Sequence, residues 1–380
     1  MFEAMKATKM VAVIGNPASN KGRGAAVSEQ VFAMLSEAGR ERGFDVMDLT
    51  GGSFDESLDV ARAWRSRYDA LVVIGGDGMI ALGANAVQGS GVPLGIVAIG
   101  SGNDFARGLH LPVNRVKVAV EGIVGAIACN THMDVDMGHV RSLTGGLAVR
   151  SASGEPIVDG EGHALAEPID RYYAGMLNCG LDASINDRAN HSRLPGGSLR
   201  YIAAVLGELT HMKRYGYHVR AELADGTVDE RDIITPLLTV ANARYIGGGL
   251  EVSPYSLLDD GMLDLIWITC MPNARQCAKA LSNAYNGRLL ASEVFGWRRI
   301  RRVEITRAAQ GDEPPVFMAD GEYVGRLPVE VCVEQRALRV LVPPAVQRWH
   351  AARTEEHITA AIVRDGRDPL TGAFVDSAVR

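Results

Sequence analysis

Short runs of valine, isoleucine and leucine without polar alternation mark the first third of the chain. They fall at residues 10–14, 71–74 and 94–99. Uninterrupted apolar runs of this length suit strands buried on both faces, which occur mainly in parallel sheets covered by helices. A further strand is predicted at 44–49, and apolar residues at helical spacing predict helices at 25–39, 54–67, 79–87 and 115–129. The strands and helices thus alternate, as in a doubly wound sheet.

The pattern changes after residue 134. Residues 140–168 have no lasting periodicity and predict a long hairpin or an ordered loop insertion. A helix is predicted at 199–211. Short strand-like runs separated by turn signals follow one another, which predicts a largely antiparallel sandwich. These runs lie at 172–177, 218–223, 237–241, 262–269, 298–305, 315–318 and 329–333, with a last strand at 338–342 and a helix at 345–364.

The chain of 380 residues is long enough for two domains with separate cores. We expect an N-terminal doubly wound, Rossmann-like α/β domain over 1–133 and a C-terminal, mainly antiparallel β-sandwich domain over 134–337. Residues 338–380 are expected to form a strand and a helix that pack back on the first domain.

Composition narrows the function classes. The net charge of −6 argues against a nucleic-acid binder, which needs a basic field. No apolar run approaches the ~20 residues that span a bilayer, and no signal-peptide core is present, so we expect a cytoplasmic protein whose membrane contact is peripheral. Five cysteines without CxxC spacing indicate reduced side chains rather than a disulfide framework or a zinc site.

Two glycine-rich turns, each containing an aspartate, follow the runs at 71–74 and 94–99. They read Gly75-Gly76-Asp77-Gly78 and Gly100-Ser101-Gly102-Asn103-Asp104. Neighbouring parallel strands present their carboxyl ends at one rim, where ligands of open α/β sheets bind. Glycine lets the backbone approach a phosphate, and the following helix start points free N–H groups at the anion. A carboxylate beside a phosphate needs a cation or a proton, so Asp77 and Asp104 indicate magnesium-linked phosphate chemistry.

The turn after the first run carries Asn16, Ser19 and Lys21. A strand, a polar glycine turn with cations and a helix form a phosphate-binding unit. An ordinary strand-to-helix turn with solvated cations is the alternative.

These turns resemble the signatures of the diacylglycerol kinase catalytic-domain family, which includes bacterial lipid kinases and sphingosine kinases and is related to NAD kinases. Residues 75–78 are similar to its GGDGT motif, 100–107 to its GTGNDFAR stretch and 16–21 to its NPxSG motif. Met79 stands where the family usually has threonine, and Asn20 replaces a glycine. The resemblance implies ATP binding by Asn16, Ser19, Lys21, Gly75, Gly76, Asp77, Gly78, Gly100, Gly102 and Asn103.

The resemblance continues in the second half. Residues 242–264 resemble an NxxxxGGG…DGxLD block, which implies a structural Mg²⁺ held by the Asp260 carboxylate and the carbonyl groups of Leu257 and Met262. An Asp-Gly turn that opens a strand is the alternative. Residues 320–322 match a DGE motif, which implies Glu322 as the general base, linked to Asp77 and Asp104, unless the motif is simply a hairpin turn.

The expected function is an ATP- and Mg²⁺-dependent lipid kinase whose acceptor, most simply diacylglycerol, enters between the domains from a membrane surface. Another lipid alcohol such as a sphingoid base, or a hydroxyl as in NAD kinase, is the nearest alternative. A nucleotide-binding regulatory protein without catalysis is the alternative from another class. A homodimer is compatible with the sequence, as is a peripheral position at the inner membrane face.

Overall fold

The structure is a computed structural model that describes residues 9–16, 24–143, 157–158, 168–180, 213–352 and 355–375. The predictions for Ser19 and Lys21, for the helix at 199–211 and for most of 140–168 lie outside the described residues.

The chain divides into two compact units. The first comprises Met1–Val135 with Ala337–Ala352, and the second Asp136–Arg336 with Arg353–Arg380. The divisions fall within two residues of the predicted boundaries. The C-terminal segment differs from the expectation, because Arg353–Arg380 belongs to the second unit and only Ala337–Ala352 to the first.

The first unit is built on a parallel sheet. Its strands are β1 (Lys9–Gly15), β2 (Phe44–Asp48), β3 (Ala70–Gly75) and β4 (Leu94–Ala98). Their order is β4-β3-β1-β2, and each neighbouring pair is parallel. The chain returns at its end to add a fifth strand, since Val340 pairs in parallel with Leu94.

Helices cover this sheet because its strands are apolar on both faces. They are α1 (Gly24–Arg42), α2 (Phe54–Ala63), α3 (Asp77–Val87), the short α4 (Asp104–Gly108), α5 (Val116–Cys129) and, after the returning strand, α7 (Pro344–Ala351). A 3₁₀ turn follows α2 at Arg65–Arg67. Val31 and Leu35 of α1 and Val120 and Ile123 of α5 share one buried cluster with the strands.

The second unit is mainly antiparallel. Its strands are β5 (His132–Ser142), β6 (Asp170–Tyr173), β7 (Met176–Gly180), β8 (Tyr215–Leu223), β9 (Val228–Thr235), β10 (Leu237–Ala241), β11 (Tyr245–Ile246), β12 (Leu250–Glu251), β13 (Leu263–Ile268), β14 (Phe295–Arg307), β15 (Phe317–Ala319), β16 (Glu322–Gly325) and β17 (Val329–Leu341). One path runs β16-β15-β7-β10-β13-β14-β17, with β8-β9 paired to β14 and β5-β6 paired to each other. The α/β unit followed by an antiparallel β-sandwich confirms the predicted fold class.

Two helices and a 3₁₀ turn complete the second unit: α6 (Ala274–Tyr285), Leu289–Ala291 and α8 (Glu355–Arg364). Ile358 and Ile362 of α8 are buried with Tyr255 and Trp297, which explains why the C-terminal helix belongs here. Within the described ranges, no helix combines the length and the apolar character that crossing a bilayer requires.

Candidate active site

Three parallel strands of the first unit end at one rim. The backbone N–H of Asn16, just after β1, donates to the Ile74 carbonyl at 3.3 Å, and that of Ile99, just after β4, donates to the Gly75 carbonyl at 2.9 Å. These bonds align the turns that follow β1, β3 and β4. The structure thus brings Asn16 next to the end of β3, where the first glycine-rich turn begins.

The two glycine-rich turns touch each other through their backbones. A Cβ atom placed on Gly76 would lie 3.1 Å from the Gly100 Cα. A side chain at either position would therefore push the turns apart. Gly76 also precedes α3 and has no side chain that could cap it, so this helix begins with the kind of backbone N-terminus that binds anions.

The two aspartates of these turns approach the same glycine. A Cβ atom on Gly102 would lie 2.6 Å from Oδ2 of Asp77 and 3.2 Å from Oδ2 of Asp104. Both carboxylates therefore face one small region of backbone that any larger residue would fill. A ligand can reach this region, because most residues of the two turns are partly exposed. They are Gly76, Asp77, Gly78, Gly100, Gly102 and Asp104.

Asp77 is held at the start of α3. Its Oδ1 accepts a hydrogen bond from the Phe105 N–H at 3.3 Å. Burial raises the pKa of its carboxyl group, and the hydrogen bonds from the Phe105, Asn103 and Asp104 backbone partly oppose that rise. A cation beside the carboxylate would offset the cost of ionising it, and oxygen-rich, partly exposed Asp77 and Asp104 are suitable ligands for Mg²⁺.

Asn103 shapes the second turn from within. Its backbone is left-handed, with φ of 58°, and the residue is fully buried. Its Oδ1 accepts from the Gly100 N–H at 2.8 Å and its Nδ2 donates to the Gly100 carbonyl at 2.6 Å. The side chain is used inside the turn, so its contribution to a nucleotide site comes through the shape of the loop.

Arg107 is a rim residue that the sequence reasoning left out of the site. Its Nη2 donates to the Gly102 carbonyl at 3.3 Å, and its Nε lies 3.9 Å from Asp104 Oδ1. The Nε is buried and has no hydrogen-bond partner among the residues that the structure describes. The i, i+3 spacing of Asp104 and Arg107 on a helix was the available signal. A partly exposed guanidinium here adds the positive charge that a phosphate site needs.

Met79 lies inside rather than on the rim. A Cβ atom on Gly75 would meet the Met79 Cγ at 2.4 Å, and Met79 is buried. The thioether therefore packs beneath the turn, where the related motif has a hydroxyl.

Glu322 follows a two-residue hairpin turn in the second unit. Asp320 and Gly321 have φ of 52° and 89°, and Ala319 pairs with Glu322 across the turn. Positive φ at both central positions is the backbone of a type I′ turn, for which Asp-Gly is a favoured sequence. The DGE motif is therefore carried by a hairpin turn, which presents a partly exposed Glu322 at the start of β16. The role of Glu322 as the general base stays a prediction.

Asp320 fixes this hairpin to the turn between β6 and β7. Its Oδ2 accepts from the Ala174 N–H at 2.8 Å, and its Oδ1 accepts from Gly175 and Met176 at 2.8 and 3.1 Å. A carboxylate that accepts three backbone N–H groups is a strong anchor. Asp320 thus positions Glu322, a role that the motif alone did not reveal.

Asp260 occupies a crowded carboxylate cluster. Its Oδ2 accepts from Nη2 of Arg299 at 2.5 Å and its Oδ1 from the Met262 N–H at 3.0 Å. The side chains of Arg299 and Asp260 are only 8% and 11% exposed. Nearby Asp136 accepts from the Gly261 N–H at 2.6 Å and the Arg336 N–H at 2.7 Å.

This donor set does not fit a magnesium ion. The Arg299 guanidinium already supplies the positive charge at Asp260, and the described hydrogen bonds engage both oxygens of Asp260 and of Asp136. Coordination by Asp260, Leu257 and Met262 stays a prediction.

Comparisons with known proteins agree with this architecture. Residues 10–140 match the model of the diacylglycerol kinase catalytic domain, and residues 175–342 match the YegS C-terminal NAD kinase beta sandwich-like domain. The chain is 27% identical over 335 residues to a diacylglycerol kinase of Mycobacterium tuberculosis, covering 88% of this chain and 95% of the relative. It is 24% identical over 341 residues to a diacylglycerol kinase of Bacillus subtilis, covering 88% and 97%.

Solved structures show the same fold. Two crystal structures from Bacillus anthracis str. Sterne match over 89% of this chain and 98% of theirs, with TM-scores of 0.63 and 0.57 at 19% and 16% identity. The second is described as a diacylglycerol kinase. With both units matched in family order, and with the glycine turns and carboxylates at the rim of the first, the chain belongs to the diacylglycerol kinase catalytic-domain family of lipid kinases.

Proposed function

We propose that this protein transfers the γ-phosphoryl group of ATP to the hydroxyl of diacylglycerol, giving phosphatidic acid and ADP. The observation that carries the proposal is the meeting of Asp77 and Asp104 at Gly102, on a rim formed by two touching glycine turns. Relatives named diacylglycerol kinase over nearly their whole length support the acceptor.

In this proposal the rim binds the phosphate groups of ATP. The N–H groups at the start of α3 and the backbone of the glycine turns approach the anion, and Arg107 adds a cation. Asn16, Ser19 and Lys21 complete the binding residues assigned by the sequence. The expected contribution of this set is positioning and charge stabilisation rather than covalent chemistry.

Asp77 and Asp104 hold the Mg²⁺ that accompanies ATP. When bound, the ion neutralises charge on the phosphate oxygens. The two carboxylates themselves orient the ion. Burial raises the pKa of the Asp77 carboxyl group, so a neighbouring positive charge would favour its ionised form.

Glu322 accepts the proton of the acceptor hydroxyl. As that O–H bond breaks, the alcohol oxygen forms a bond to the γ-phosphorus, the bond to the ADP oxygen breaks, and the proton stays on the glutamate. The anchored hairpin supports this assignment, because Asp320 fixes the turn that carries Glu322. A general base at a fixed position typically contributes ~10²–10⁴-fold in rate.

Other acceptors remain distinct alternatives within the same chemistry. A sphingoid base, another lipid alcohol or NAD would use the same phosphate rim and the same base. A lipid acceptor implies that the protein contacts a membrane surface peripherally. We propose that it does so at the cytoplasmic face of the membrane. A nucleotide-binding regulatory protein would retain the rim but release no ADP.

The test is an assay with radiolabelled ATP and Mg²⁺ against diacylglycerol, a sphingoid base, NAD and no acceptor, with ADP measured separately. Of the acceptors tested, only diacylglycerol should give a labelled product, phosphatidic acid. The amount of ADP released should equal the amount of phosphatidic acid formed. Label in another product would reassign the acceptor, and ATP binding without ADP release would favour the regulatory role.

A variant separates the chemistry from binding. Glu322→Gln keeps the size of the side chain but removes the base, so kcat should fall ~10²–10⁴-fold with little change in the KM for ATP. Glu356→Gln on the exposed face of α8 is the matched control and should keep full activity. Full activity in Glu322→Gln would refute its role as the base.

A further inference from the structure

A cluster of mixed nitrogen, sulfur and oxygen side chains lies in the second unit, and the proposed kinase chemistry does not use it. His139 is on β5, while Cys332 and Glu334 are on β17. Their candidate ligand atoms all lie within 4.8 Å of one another. Cys332 and Glu334 are two residues apart on a strand, so both side chains point to the same face, toward His139.

The spacing of these atoms matches that of a small coordination sphere. His139 Nδ1 lies 3.3 Å from Glu334 Oε1, and Cys332 Sγ lies 3.9 Å from the same oxygen. In a tetrahedral zinc site with bonds of ~2.0–2.3 Å, ligand atoms are about 3.3–3.8 Å apart. An ion could therefore enter between the three atoms with little movement of the strands.

A further carboxylate orients the imidazole. The Nε2 of His139 lies 2.5 Å from Asp170 Oδ1, and the ring stacks on Tyr172 with centroids 4.0 Å apart and an interplanar angle of 11°. A histidine that ligates a metal typically donates its other N–H to a carboxylate in this way, which fixes its tautomer. With the proton on Nε2, the lone pair of Nδ1 faces the Glu334 carboxylate, and two acceptors face each other unless a cation lies between them.

We propose that His139, Cys332 and Glu334 form a binding site for a divalent transition metal of the zinc class, with Asp170 as the outer carboxylate and water as the fourth ligand. Nitrogen, thiolate and carboxylate together suit zinc better than magnesium or calcium, which take oxygen ligands. The ion links β5 to β17, so its expected effect is to brace these two strands.

The charges around the cluster permit the ion. Glu334 is 42% exposed and Asp170 is 68% exposed, so the site opens to solvent. The Nη2 of Arg141 is 3.9 Å from Cys332 Sγ, but it donates to Glu330 Oε1 at 2.6 Å. The metal ligand is the thiolate, so the incoming ion displaces the Cys332 proton to solvent.

The competing arrangement is a protonated His139 held between the Asp170 and Glu334 carboxylates without a metal. The full-length protein, freed of metal by a chelator and titrated with Co²⁺, distinguishes the two. We expect one equivalent to give a thiolate-to-cobalt charge-transfer band, which Zn²⁺ removes. Cys332→Ser should abolish the band, whereas Cys270→Ser, at an exposed cysteine outside the cluster, should keep it. Asp170→Asn should weaken binding ~10–100-fold.

A measurement on the unaltered protein guards against a variant that fails to fold. At alkaline pH, Zn²⁺ should slow the alkylation of Cys332 by iodoacetamide and leave the alkylation rate of Cys270 unchanged. Mass spectrometry measures both rates. A titration without a charge-transfer band, a band that persists in folded Cys332→Ser, or equal alkylation of Cys332 with and without Zn²⁺ would overturn the proposal and leave the imidazolium arrangement.

Discussion

Gly100 lies so close to Gly76 that a Cβ atom on Gly100 would be 2.3 Å from the Gly76 Cα. No real Cβ contact is that short, and the obstacle is backbone that cannot rotate away. The two turns that carry Asp77 and Asp104 can thus approach this closely only because Gly76 and Gly100 have no side chains. The glycines of both motifs have a steric cause that is independent of any ligand.

Gly100→Ala should therefore separate the two turns and weaken ATP binding. We expect the KM for ATP to rise and the melting temperature to fall, because relief of the clash requires a shift of the main chain. Gly125→Ala is the matched control: a Cβ atom there meets nothing within 4 Å, and alanine in a helix favours folding by ~0.5–1 kcal/mol. Equal ATP affinity in wild type and Gly100→Ala would show that the contact has no functional effect.

Asp77→Asn should lower phosphoryl transfer by about 10²-fold or more while leaving stability equal or higher. Burial raises the pKa of the Asp77 carboxyl group, so its charged form costs folding free energy that the amide does not. Asp55→Asn, an aspartate in the first turn of α2, is the control and should change neither quantity. The assay is steady-state kinetics with thermal melting, and wild-type turnover in Asp77→Asn would remove this residue from the mechanism.

Asp320→Asn should destabilise the protein by about 1.5–3 kcal/mol, because an amide has one oxygen where the carboxylate accepts three backbone N–H groups. Asp225 lies in another Asp-Gly turn, but its hydrogen bonds to Thr227 are exposed. Asp225→Asn should change the free energy of unfolding by less than ~0.5 kcal/mol. Denaturant melts of both variants measure this, and equal effects would mean that Asp320 does not anchor the Glu322 hairpin.

Asp260 should make the protein more stable as the pH falls from about 8 to about 5. Burial raises its pKa to about 7, although Arg299 opposes the rise, whereas an unfolded aspartate titrates near ~3.9. The folded state therefore binds the proton more tightly than the unfolded state does. This contribution to the free energy of unfolding is fully present below a pH of about 4 and is lost as the pH rises through about 7. Asp260→Asn should flatten this part of the stability profile measured by melting between pH 5 and 8, at ~1.4 kcal/mol per pH unit. An unchanged profile would contradict the assignment.

Added Mg²⁺ should leave the melting temperature of the nucleotide-free protein unchanged, since Arg299 supplies the cation at Asp260. Arg299→Met removes that charge and should create a dependence on Mg²⁺ if the remaining carboxylates can then take an ion. A rise in the wild-type melting temperature with Mg²⁺ that Asp260→Asn removes would instead support the metal ligands predicted from the sequence.

The fold of the first unit could be predicted because strands buried on both faces leave uninterrupted valine and isoleucine runs. The second unit was harder. The polar residues between 333 and 338 predicted two strands, yet β17 continues through them, with Arg336 at φ of 51° absorbing the irregularity. The helix α6 was missed, although its capping box of Asn273 and Gln276 was a local signal. The helix predicted at 345–364 is two helices, α7 and α8.

Some contacts of the candidate site could be predicted from the sequence and others could not. Asp77 and Asp104 follow adjacent strands, so their meeting could be predicted from strand order. The role of Asp320 could not, because its partners Ala174, Gly175 and Met176 lie about 145 residues away in sequence. Arg299 at Asp260 was hidden for the same reason, since a sequence does not show which distant cation reaches a buried carboxylate.

The returning strand has a consequence for synthesis on the ribosome. Val340 pairs with Leu94, so the parallel sheet begun in the first 100 residues acquires its fifth strand only after residue 340 has been made. About 200 residues of the second unit are translated in between, which at ~5–20 residues per second takes roughly 10–40 s. During that interval the Leu94 end of the β4 edge lacks its partner, while Ala98 at the other end bridges Val113. The unpaired part of the edge is a template for association with another nascent chain. Chaperone demand should therefore peak late in translation, and a chain stopped before residue 337 should aggregate even though its first 135 residues are intact.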